Sequence, residues 1–188
     1  MDIVTKDFTP TAEQISVHGL GFIQVKLPNN QRLHVWHPDI PRRACYLHSA
    51  IHNHRFSFTS HVLIGTQVNR RYEVHYDDNG THDLISHDGP RGATGGRLSF
   101  VAGRVRVEPA QDEFYGPGSI YHMPMLQYHE TPNSGVVVTL MKKEQEGTVH
   151  ACSIITHDVK FDQDFNRFQV PEARLWAIVL DAMQQKTK

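Results

Sequence analysis

What the sequence lacks narrows its class first. Only two cysteines, Cys45 and Cys152, occur in 188 residues. That is too few for the disulfide framework of small secreted domains. No apolar run approaches the roughly 20 residues that cross a bilayer as a helix. The N-terminal Met1-Asp2-Ile3-Val4-Thr5-Lys6-Asp7 is charged and has no apolar signal segment. A cytoplasmic location and no membrane partner follow as expectations. Neither sign of charge prevails: 19 Lys and Arg stand against 20 Asp and Glu, a formal net charge of -1. Non-specific binding to nucleic acid is therefore not expected. The Gly-rich loop His87–Gly96 lacks the Gly-Lys-Ser/Thr ending of a phosphate-binding loop, and no helical pattern follows it. With no repeat, linker or composition shift, residues 1–188 read as one domain, long enough to bury a sizeable core. The residue in excess is histidine, with 14 copies.

Short strands with turn punctuation fill the chain from about residue 20 to 156. Phe22–Leu27 mixes β-branched and polar residues, Pro28-Asn29-Asn30 is a turn, and Gln31–His37 alternates, which together predict a hairpin. In the second arm Leu33 and Val35 share one face, and Arg32, His34 and Trp36 share the other. His61–Ile64, Gln67–Tyr76, Thr81–Ser86, Arg97–Glu108, Gly118–Met123, Val136–Met141 and Val149–Ile155 read as further strands. Asn79-Gly80 predicts a tight hairpin between the Gln67–Tyr76 strand and a returning Thr81–Ser86 strand. Strands without intervening helices predict an all-β antiparallel sandwich or barrel. Only about 171–186 has helical spacing: Leu175, Trp176, Val179 and Met183 form a stripe behind Pro171 and Glu172. That stripe is expected to pack against the outside of the barrel.

The histidines carry the chemistry. Ile51-His52-Asn53-His54-Arg55-Phe56-Ser57-Phe58 reads as a strand, which turns His52 and His54 to one face. Two imidazoles on one face can share a metal, and a third ligand completes a site with open positions for chemistry. Gly118–Asn133 reads as a strand, a tight turn at Pro124, and His129 at the start of a new strand. His129 is placed to be that third ligand. The plain alternative is that these are satisfied strand histidines.

The second stretch resembles a motif of the cupin superfamily, Gly, five residues, Pro-x-Gly-x-x-His, three residues, Asn. It matches at Gly118, Pro124, His129 and Asn133 and departs at Leu126, where the family has Gly. The first cupin motif is matched at His52, His54 and Gly65. Its Glu position holds Phe58 or Thr59, and its upstream Gly is replaced by Tyr46. The resemblance implies a cupin-type jelly-roll barrel, a double-stranded β-helix, with a C-terminal helix and a metal at its mouth. It also implies a homodimer. A three-histidine site without the Glu is similar to the thiol dioxygenases, the cysteine dioxygenase group, which hold Fe(II). The Cys and Tyr that cross-link in some members have no counterparts here: Thr59 stands at the first position and no Tyr lies near Met141.

That resemblance implies oxidation of a small thiol by O2 to a sulfinic acid. Three neutral imidazoles leave the metal its full charge, which favours an anionic thiolate. A substrate carboxylate needs a cation, best a forked guanidinium, and Arg32 is the candidate. Tyr128 and His122, with Tyr121, are candidates for hydrogen bonds near the reacting groups. Against these stand plain roles: a solvated strand residue for Arg32 and a structural one for His122. Two other functions stay open: a cupin oxygenase or isomerase for another small molecule, using Zn, Ni or Mn, and a non-enzymatic metal- or ligand-binding module. The fold alone does not choose among them.

Overall fold

The computed structural model describes residues 14–163 and 165–185. The described chain is mostly strand: β1 Gln14–His18, β2 Phe22–Leu27, β3 Gln31–Trp36, β4 Phe56–Ile64, β5 Gln67–Tyr76, β6 His82–Ser86, β7 Phe100–Tyr115, β8 Ile120–Met123, β9 Tyr128–Glu130, β10 Val137–Glu146 and β11 Cys152–Thr156. A short 3-10 turn covers Ala44–Leu47, and one helix, α1, covers Glu172–Gln184. The strands form a six-stranded sheet in the order β1-β2-β3-β10-β4-β8 and a five-stranded sheet in the order β11-β6-β7-β5-β9. Every pairing between named strands is antiparallel. The architecture is all-β, a curled jelly roll with a C-terminal helix.

Alternation decides what each face of the six-stranded sheet meets. Leu33 and Val35 of β3 are fully buried with Ile23, Val25 and Val138 on one face. Leu175, Ile178, Val179 and Ala182 of α1 cover that face. Each such side chain contributes roughly 1.5–3 kcal/mol by leaving water. Arg32, His34 and Trp36 point the other way, into the space between the sheets. There Phe22 and Trp36 meet Ile85 and Ile155 of the second sheet. The helix runs as expected from the sequence, except that Pro171 is its N-cap residue rather than part of its first turn. Lys186, the last residue expected in it, lies outside the described residues. Among the described residues no helix is long and apolar enough to cross a membrane.

Two local expectations are corrected. The β2–β3 hairpin forms, with Asn29 and Asn30 at φ 58° and 59°. Three residues, Pro28 to Asn30, connect the paired Leu27 and Gln31, the Gln31 N–H donates to the Pro28 carbonyl at 3.3 Å, and Asn tolerates the positive φ at both central positions of that turn. The second expected hairpin does not form. Neither Asn79 nor Gly80 has positive φ; the Asn79 N–H donates to Asp77 Oδ1 at 2.9 Å and the Gly80 N–H to the Asp77 carbonyl at 2.8 Å, which closes a turn of another type. The chain therefore does not fold back on β5. Strand β7, 16 residues long, lies between β5 and β6 and pairs with both. The second correction concerns His52 and His54. Regular strand begins only at Phe56, and His52 takes part in isolated bridges.

Candidate metal centre

His52 sits where the five-stranded sheet closes on itself. Its backbone bridges β9 at His129 and β11 at Ser153. The His52 N–H donates to the His129 carbonyl, and the His129 N–H donates back, both at 2.9 Å. Residues opposed in such a bridge project from the same face, so the pairing itself brings two imidazoles together. Asn53 anchors the segment to β11: its N–H donates to the Cys152 carbonyl at 3.0 Å, and its Oδ1 accepts the Cys152 N–H at 2.7 Å. His54, one alternation on, turns back to the face of His52.

The segment before His129 is fixed by its turn. The Leu126 N–H donates to the His54 carbonyl at 2.8 Å, with Leu126 in the left-handed region at φ 64°. This explains physically why the resembling family carries Gly there: the turn needs a conformation that costs other residues roughly 1 kcal/mol or more. Asn133 ties the other end of β9. Its Oδ1 accepts the Val68 N–H at 2.8 Å and its Nδ2 donates to Gln67 Oε1 at 3.1 Å.

His52, His54 and His129 each offer one nitrogen, all within 4.8 Å of one another. His54 Nε2 and His129 Nε2 are 3.1 Å apart. The ring centroids of His52 lie 4.9 Å from those of His54 and 4.6 Å from those of His129. His52 Nδ1 is 2.9 Å from the Ala50 carbonyl, which can only accept. The proton therefore sits on Nδ1 and the Nε2 lone pair is free, the orientation a metal ligand needs. Burial lowers the His52 pKa to about 4. Burial also carries His54 and His129 well below the ordinary histidine range, reinforced by the neighbouring imidazoles. All three rings are neutral at pH 7, the form that binds metals. The His129 Nδ1 is buried without a partner, and no described carboxylate joins the group. Converging neutral nitrogens fit a divalent cation, and the three-histidine group suggests a metal site.

The group forms part of the wall of a cavity of about 260 Å³ between the sheets. Arg32 lines this cavity, its guanidinium 5.2 Å over the Phe56 ring. Phe58, at the position where the resembling motif has Glu, sets its ring edge-on to His54 at 5.2 Å, while Thr59 turns outward to Glu144. Tyr121 also lines the cavity, but Tyr128 and His122 do not. Tyr128 packs against the cluster of Ile51, Leu84, Val105 and Ile154. Burial and the adjacent Cys152 thiol raise its pKa. His122 is exposed, 3.6 Å from Glu144. Of the cysteines, both free, Cys45 is a core residue and Cys152 is a half-buried residue of the cavity wall.

Several residues that line the cavity have no signature in the sequence. Tyr46, Ser153, His87 and Ser99 form a hydrogen-bonded chain. The Tyr46 hydroxyl donates to Ser153 Oγ at 2.9 Å, Ser153 lies 2.7 Å from His87 Nε2, and His87 Nδ1 lies 2.7 Å from Ser99 Oγ. Ser99 donates onward to the Arg97 carbonyl at 3.1 Å, which leaves its oxygen to accept and puts the His87 proton on Nδ1. Basic residues also converge: Arg43, Arg55, Arg91, Arg97, Lys143 and Arg167 join Arg32 at the cavity, with Glu146 as the sole acid in the wall among the described residues. The sheet-rich fold and the clustered histidines are compatible with the cupin resemblance. In comparisons with known proteins, no family model matches the chain and no curated protein matches it.

Proposed function

We propose that this chain is a metal-dependent cupin oxygenase, an Fe(II) dioxygenase that converts a small anionic thiol to its sulfinate. The observation that carries the reading is the histidine group: three neutral imidazoles with no carboxylate among the described residues, in the wall of a cavity whose described charged lining is basic but for Glu146. Bound there, Fe(II) supplies the redox chemistry by which both atoms of O2 pass to sulfur, R–SH plus O2 giving R–SO2H.

The chain's own groups account for the rest. The Ala50 carbonyl and the backbone bridge fix the orientation of His52, and the turn at Leu126 fixes that of His129. Arg32 offers a forked donor to a substrate carboxylate. Phe56, Phe58 and Met141 make the adjoining wall apolar, which limits water beside a reactive centre. The cationic lining draws anionic ligands inward.

Elemental analysis of wild type and His129→Ala tests the centre, followed by oxygen uptake with Fe(II) and a panel of small thiols. Stoichiometric iron that is lost in the variant, with thiol-dependent uptake, supports the proposal. Metal binding with oxygen uptake only on non-thiol anions replaces the substrate class. Metal binding without any uptake points to an isomerase or a binding module. No metal in either protein after reconstitution overturns the centre.

A further inference from the structure

The basic side chains of the cavity are not used up by the metal centre or by one carboxylate. Glu146 pairs with Arg55 at 2.7 Å and with Lys143. Arg32, Arg43, Arg91, Arg97 and Arg167 line the same space, and among the described residues none of them has an ion pair. Among the described residues Arg91 and Arg97 donate to a backbone carbonyl alone, of Gly95 and Gly89.

Arg43 and Arg167 stand out within this group. Arg43 is 9% exposed and stacked among the rings of Tyr46, Phe161 and Phe165 at 5.4–5.7 Å, yet its buried Nε has no hydrogen-bond partner. Arg167 donates through Nε to the Val17 carbonyl at 3.2 Å, and its buried Nη2 has no partner. A buried guanidinium with unsatisfied donors is costly, and neighbouring guanidiniums add repulsion. Burial, reinforced by Arg91, Arg43 and Arg32, depresses the Arg167 pKa to about 10. An arrangement of this kind is relieved by an oxyanion, whose oxygens match the forked donors.

We infer that Arg43 and Arg167 form an anion station separate from the three histidines, which holds the phosphate or carboxylate headgroup of a multiply charged small molecule. Arg91 and Arg97 face the same space from the loop between β6 and β7 and complete its positive field. As a statement about the substrate, this rests on the enzyme reading above and makes that substrate at least a dianion. As a binding site it stands without the metal.

The test is titration of the full-length, metal-free protein with inorganic phosphate and pyrophosphate at fixed ionic strength, followed calorimetrically, with acetate and chloride as monoanion controls. The wild type is expected to bind pyrophosphate saturably and more tightly than either control. Arg167→Gln is expected to weaken that binding at least tenfold, and Arg167→Lys, which keeps the charge without the fork, to weaken it less. His129→Ala is expected to leave it within about twofold of wild type. No saturable binding by the wild type overturns the station whatever the variants do. Equal affinity in wild type and Arg167→Gln overturns the assignment of residues. Loss of metal binding with retained pyrophosphate binding sinks the oxygenase proposal and spares the station.

Discussion

Acidification of the metal-free protein should cost stability before its carboxylates titrate. Burial holds His52 at a pKa of about 4. Burial also holds His87 at about 4, and burial with Arg32 and Arg167 nearby holds His34 at about 3, against an ordinary value of 6.5. A histidine depressed in the folded state binds its proton first in the unfolded chain. Stability is therefore fully present above pH 6.5 and falls as pH drops toward the folded pKa. At pH 5 each such ring favours the unfolded chain by 1.5 pH units, about 2 kcal/mol. The three rings together give about 6 kcal/mol, and His18, His54 and His129 shift in the same direction. Water entering the cavity lowers this, so about 3–6 kcal/mol is expected, a large share of the 5–15 kcal/mol typical of a domain.

Urea unfolding at pH 7, 6 and 5 in the presence of a chelator measures this, read by tryptophan fluorescence because Trp36 lines the cavity. Saturating Zn(II) should move the loss to lower pH, since metal and protons compete for the same nitrogens. Stability constant within about 1 kcal/mol from pH 7 to pH 5 would refute the argument, because the rings would then be protonated alike in both states.

The remaining predictions concern the backbone that aims the ligands. Gly65→Ala should cost at least about 3 kcal/mol by thermal or urea unfolding, because φ is 74° and an added Cβ would stand 2.3 Å from the Val136 carbonyl oxygen. Gly118→Ala, at φ 85° with open space around the added atom, should cost only about 1–2 kcal/mol. Leu126→Gly should stay within about 0.5 kcal/mol of wild type, since relief of left-handed strain offsets added chain entropy, whereas Leu126→Val should lose more than about 1 kcal/mol. Asn133→Ala should lose about 2–3 kcal/mol because it strands the Val68 N–H and the buried Gln67 amide, while metal stoichiometry stays at the wild-type value.

Features of the fold that depend on period or on local turn chemistry were legible in the sequence. Period-two alternation separates Leu33 and Val35, which meet the helix, from Arg32, His34 and Trp36, which meet the cavity. His52 and His54 were legible for the same reason, since alternate residues of an extended run share a face, whereas His129, 75 residues after His54, was legible through the turn before it and the motif it resembles. The Asn79-Gly80 hairpin misled because dipeptide identity does not fix φ, and Asp77 supplies a competing side-chain acceptor. The cationic cavity was not legible. Arg43 lies in a loop before the histidines, and Arg167 bonds to a carbonyl 150 residues earlier in the chain. Only tertiary packing brings them together, and an arginine in a loop otherwise reads as a solvated surface residue. Tyr128 and His122 show the converse error. Proximity in sequence to His129 suggested a role near the site, but residues adjacent in a strand face opposite ways. Tyr128 is next to His129 in β9, and its ring lies in a different cluster.

The position of His52 joins fold and site in one feature. The five-stranded sheet has β11 and β9 at its two edges, and the segment at His52 lies between them. Among the described residues five backbone hydrogen bonds hold this seam: the reciprocal pair with His129, Asn53 to Cys152, Ile154 to Ile51, and Leu126 to His54. These edges would otherwise expose unpaired backbone groups. The side chains that converge on the prospective metal position come from the two sides of this seam, His52 and His54 from the closing segment and His129 from β9. A cation held by all three would add bonds across this seam. A metal that binds only the closed arrangement stabilises it by its binding free energy. The gathering of the three histidines and the closure of the five-stranded sheet are thus one structural problem, solved by the same short segment. Of the turn residues at motif positions, Asn133 ties the end of β9 beside this seam, whereas Gly65 and Gly118 lie at the far end of β4, by Val136 and Val62, so one end of the seam is set locally and the rest by the register of the sheet.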